Sequence, residues 1–76
     1  MGMFASKPPE VDLSVFTGQP YPYALMKLYE MDVRVFLVAL KAGEEYQPTS
    51  EHLATKDAVV ILYDAETANV VRCIRT

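Results

Sequence analysis

Seventy-six residues, 51% of them hydrophobic and 22% charged, make one small folded domain and exclude intrinsic disorder. A chain this short buries only about 60% of the surface it exposes when unfolded, so its core has little material to spare. Seven Lys and Arg against ten Asp and Glu leave a net charge of −3, which argues against nucleic acid as a partner, and the single cysteine, Cys73, excludes both a disulfide framework and a multi-cysteine zinc site.

Residues 1–10 read as a flexible arm ending in Pro8-Pro9, ahead of a single domain over 11–76. Met1-Gly2-Met3-Phe4-Ala5-Ser6 fits the pattern for N-myristoylation at Gly2, with Lys7 beside it. One acyl chain binds membranes only marginally, and Glu10 and Asp12 follow in place of a polybasic patch. A membrane partner is therefore expected only if Gly2 is acylated. No apolar run approaches the roughly 18 residues of a membrane span, and no secretory signal is visible, so the expected setting is cytoplasmic.

Val11 to Phe16 alternates apolar and polar as far as Val15, which predicts a short strand with one wet face. Gln19-Pro20-Tyr21-Pro22-Tyr23 predicts an exposed turn, since its prolines suit neither a helix interior nor a central strand. From Tyr23 to Ala42 two periods compete. At helical spacing Met26, Tyr29, Val33, Phe36 and Leu40 share a face; at period two Tyr29, Met31, Val33, Val35, Leu37 and Ala39 do. Propensity divides the segment into a helix over about 22–31, rich in Ala, Leu, Met and Lys, and a β-branched strand over about 33–41. The alternative is one long helix over 22–42 joined to a C-terminal β-hairpin.

Gly43 marks a turn, Glu45-Tyr46-Gln47 a short returning strand, and Ser50 the cap of a helical turn through His52 to Lys56. Ala58 to Tyr63 is apolar on both faces, as a covered central strand is. The turn formers of Asp64 to Asn69 and the renewed strand pattern from Val70 complete an antiparallel hairpin over 58–75. The fold class that follows is α+β: a small antiparallel sheet of three to four strands with one helix packed on it.

Chemistry is sparse. His52, the only histidine, and Cys73 are the one pair with catalytic or ligand-binding character, and no local signature accompanies them. The phase of Cys73 with Val71 points to a small buried thiol instead. Arg34, Arg72 and Arg75 read as charges guarding a sheet surface. Tyr21, Tyr23 and Tyr46 are the candidate interface residues, because tyrosine combines contact area with a polar tip. No metal or cofactor is expected. The leading functional expectation is a small non-enzymatic protein–protein interaction module, self-associating to cover its apolar excess and acting on a larger protein assembly. A myristoylated membrane adaptor is the alternative, and a small domain using His52 and Cys73 the third.

Overall fold

A computed structural model describes residues 12–76; the arm over 1–10, and Gly2 with it, lies outside them. The elements in chain order are a 3₁₀ helix Leu13–Phe16, helix α1 Tyr21–Glu30, strand β1 Arg34–Leu40, helix α2 Ser50–Ala54, and strands β2 Ala58–Asp64 and β3 Val70–Arg75. The three strands form one sheet in the order β1-β2-β3, so the chain is α+β, with one main helix on a small sheet. The sheet is mixed. β2 and β3 form the expected antiparallel hairpin, but β1 runs parallel to β2, from Arg34 opposite Ala58 to Leu40 opposite Asp64. The chain reaches β2 through a connection over 41–57, the kind of crossover that parallel pairing requires.

The strand expected over 11–16 is a 3₁₀ helix instead over its described part. The Asp12 carboxylate accepts the Ser14 backbone N–H at 3.0 Å and the Ser14 hydroxyl at 2.6 Å. These bonds draw the carboxyl below its ordinary range and close the chain into a tight turn. Leu13 and Phe16, three apart, thereby face the core, and Val15 is left exposed. Gly18 follows at φ +85°, and its N–H donates to the Val70 carbonyl at 2.8 Å. The Val70 N–H returns a bond to the Gln19 carbonyl at 2.7 Å, which ties this segment to the start of β3.

The segment expected as an exposed turn opens α1, with Pro22 in the first turn where its missing N–H costs no bond. The helix buries Ala24 and Leu28 and half-buries Tyr21 and Leu25. Its inward stripe is therefore 21, 24, 25 and 28, not the Met26 and Tyr29 stripe. Ala24 is fully buried in the core cluster with Val59 and Ile61. The helix ends at Glu30 because Asp32 takes φ +60°, with its N–H on the Tyr29 carbonyl and the Val33 N–H on the Leu28 carbonyl, both at 3.0 Å. This paired closure stops the helix before the β-branched run. The long helix over 22–42 does not form.

Residues 45–47 form no strand. Instead Glu44 closes the turn on itself, its carboxylate accepting the Lys41 N–H at 2.9 Å while its own N–H donates to the Lys41 carbonyl. The cap of α2 is Thr49, one residue before the expected Ser50; its hydroxyl accepts the His52 N–H at 3.1 Å.

The core has two layers, one on each face of the sheet. On the first, Val59 and Ile61 of β2 and Val70 of β3 meet Phe16, Ala24 and Leu28. On the second, the ring of His52 from α2 packs tilted against Phe36 of β1, beside Val60 and Ile74. β2 is thus buried from Ala58 to Leu62 without a break. No helix among the described residues is long and apolar enough to cross a membrane.

The β2–β3 turn is held by Asp64, whose carboxylate accepts the N–H groups of Glu66 at 2.7 Å and Thr67 at 3.2 Å. Ala68 ends it at φ +65°, a conformation in which a Cβ costs about 1–2 kcal/mol. Ala68→Gly is expected to raise stability by about 1 kcal/mol, and the melting temperature by roughly 4–8 °C for a domain of this size. Thermal unfolding followed by circular dichroism checks this; a lower melting temperature would show that the turn is not strained.

Candidate interaction surface

The expected interface tyrosines occupy separate places. Tyr21 stacks on Tyr63, ring centres 4.1 Å apart, and pins the start of α1 over the end of β2. Tyr23 is exposed, edge-to-face with Phe16 at 6.2 Å, with the Lys27 ammonium 5.7 Å from its ring centre. Tyr46 lies on the other face of the sheet, where its hydroxyl hydrogen-bonds Nδ1 of His52 at 2.8 Å. Of the three, Tyr23 alone is left as an exposed ring; Tyr46 is engaged in a latch that closes the crossover on itself and holds His52 where its ring meets Phe36 of the sheet.

His52 is the buried polar residue of this latch. Its ring centre is 4.6 Å from that of Phe36 and 5.9 Å from that of Tyr46, and its backbone N–H is taken by Thr49. A cleft of about 180 Å³, lined by Tyr46, His52, Leu53, Val60 and Ile74 among others, opens beside it. This is small for a ligand site, which typically measures about 300–1,000 Å³. Cys73 stands on the opposite face, paired with Ile61 and packed on the core beneath α1. The sheet itself separates thiol from imidazole, so the structure does not bring the two together as nucleophile and base. No group of three or more His, Cys, Asp or Glu among the described residues is placed to hold a metal ion.

The register of β3 accounts for the position of Cys73. A bulge at Leu62/Tyr63 places Tyr63 opposite Val70 and Leu62 opposite Arg72, leaving Val71 unpaired between them. The extra residue shifts the phase, so Cys73 shares its face with Val70, not with Val71, which is exposed. The thiol is half-buried, and that burial pushes its pKa above the ordinary value. Arg34 and Arg72 are likewise far apart, one level with Ala58 and the other with Leu62 along β2.

The structure adds a surface that the tyrosines did not indicate. Strand β1 is the open edge of the sheet. Its residues run Arg-Val-Phe-Leu-Val-Ala-Leu, with no charge between Val35 and Leu40. Among the described residues only its last carbonyl, that of Leu40, accepts a backbone bond from outside the sheet, donated by Ala65 at 2.8 Å. The other edge, β3, is tied at its start to Gly18 and Gln19 and carries Arg72 and Arg75. Within β1, Leu37 is 42% exposed, and Tyr29 of α1, beside Val33 to Val35, is 62% exposed. The apolar run Val35 to Leu40 was visible in the chain, but its edge position depends on strand order, which local pattern does not encode. Comparison with known proteins finds no matching family, no matching curated protein and no matching solved structure.

Two outcomes test these placements. Tyr46→Phe removes the partner of the His52 Nδ1 and is expected to cost about 1–3 kcal/mol, read as a lower denaturant midpoint; an unchanged midpoint would mean the crossover is held by other contacts. Because its pKa is raised on folding, Cys73 contributes stability that is complete below the unfolded thiol's pKa and is lost as pH rises through the folded value. Disulfide-exchange labelling of Cys73 is accordingly expected to be slower in the folded protein than in denaturant, and Cys73→Ser to flatten the alkaline fall in stability.

Proposed function

We propose that this chain is a small non-enzymatic protein–protein interaction module that associates with itself. The observation that carries the reading is the uncharged edge of β1, unpaired by any described residue, with Leu37 exposed on it and Tyr29 beside its start. Folded proteins ordinarily blunt such an edge with charge, proline, a bulge or a covering segment, and among the described residues β1 has none of these from Val35 to Leu40. An edge left in that state is suited to receive another strand, because its free N–H and C=O groups gain partners there. Apolar side chains around it add area to be removed from water.

The non-enzymatic part of the reading is supported by the separation of Cys73 and His52 and by the use of Tyr46 and His52 as a structural latch. A reducing, cytoplasmic setting belongs to the same reading, since the lone thiol has no partner for a disulfide within the chain.

Solution mass by light scattering across a concentration series tests it. The expected result is a mass that rises from one chain to two as concentration increases. A mass of one chain at every concentration would overturn self-association.

A further inference from the structure

We infer that two copies of this chain join β1 to β1 in antiparallel fashion, about a two-fold axis through Leu37, to make one continuous six-stranded sheet. The inference rests on the self-association proposed above and names its interface. Three observations on β1 select this arrangement.

The first is the backbone. An open strand edge is matched by a strand, and of the two edges only β1 is both unpaired along its length by any described residue and uncharged from Val35 to Leu40. Joining β3 to itself would bring Arg72 and Arg75 of one copy toward those of the other, which like charge disfavours.

The second is register. A two-fold axis perpendicular to a sheet keeps each face on its own side, so directly opposed residues must belong to the same face. Among the registers that satisfy this, the one using all seven residues of β1 places Leu37 opposite its own counterpart. Val35 then faces the partner's Ala39, Phe36 faces the partner's Val38, and Arg34 faces the partner's Leu40. The larger side chain of each inner pair meets a smaller one. Leu37 and Ala39, which α1 leaves exposed, acquire neighbours on the same face. A shift of two residues in either direction leaves backbone groups unpaired at both ends.

The third is charge at the strand ends. β1 begins with Arg34, and just beyond its end the Glu44 carboxylate is held on the Lys41 backbone N–H. Antiparallel pairing carries the guanidinium of one copy toward the end of the partner's β1, where the Glu44 carboxylate offsets the neighbouring Lys41 ammonium. Parallel pairing would set Arg34 beside its own counterpart, and Glu44 likewise.

The test begins with Leu37→Cys in a Cys73→Ser background. Residues directly opposed across antiparallel strands have Cα atoms about 4.5–5.5 Å apart, within the span of a disulfide. Mild oxidation is therefore expected to yield a covalent dimer, while Leu53→Cys, exposed on α2, yields none in the same background. Leu37→Lys places two ammonium groups against each other and is expected to weaken the dimer by about 100-fold in light scattering, with circular dichroism and melting temperature retained. Arg34→Glu and Glu44→Arg are each expected to weaken it, and the double variant to restore it. A dimer that survives Leu37→Lys and does not cross-link at position 37 overturns this interface and leaves self-association standing. A chain that is monomeric at every concentration, including one that captures a strand of another protein on β1, overturns both.

Discussion

The fold depends on one requirement: β2 is apolar on both faces, and each face must be covered within a chain of 76 residues. Helix α1 covers one, burying Ala24 and Leu28. The crossover covers the other, and it does so with very little apolar material, a single short helix and a tyrosine. That economy explains why a histidine is found in the interior. His52 fills the space over Phe36 with an aromatic ring, while its Nδ1 is answered by Tyr46 and its backbone N–H by the helix-capping Thr49. Among the described residues no buried side-chain nitrogen or oxygen lacks a partner, so the second layer takes in a polar ring without leaving it unsatisfied.

Legibility in the sequence follows the range of the interactions concerned. The β2–β3 hairpin and the division of 22–41 into helix and strand were readable because β-branched runs, helix formers and turn residues act within a few positions of one another. The 3₁₀ helix was not, because the side-chain bonds of Asp12 to Ser14 override an alternation that is only a few residues long. The inward stripe of α1 was missed because Met and Tyr carry more apolar area than Ala, and area alone does not decide which stripe of a helix meets the sheet. The parallel sense of β1 was hidden for a different reason. It is decided by the whole crossover finding a face to lie on, not by any turn.

The candidate surface obeys the same division. Tyrosines can be counted in a sequence, but whether each is exposed depends on partners such as Tyr63 and His52 that lie far along the chain. An edge strand has no compositional signature here: β1 and β2 are similarly apolar, and only the strand order separates the one that is enclosed from the one that is not. The phase of Cys73 is a smaller instance, since one unpaired residue at Val71 reverses the face on which the thiol lies.

The connection over 41–57 also sets an order of assembly. β2 and β3 are neighbours in the chain and pair across a tight turn, so their contacts form early and cheaply in loop entropy. β1 pairs only after the crossover has closed a far longer loop. Until then the edge of β2 stands open, and it is the most apolar stretch of the molecule. A partly folded chain in which only the hairpin has formed therefore leaves the inner edge of β2 open to its surroundings. Arrival of β1 encloses β2 and leaves β1 in its place as the open edge of the sheet.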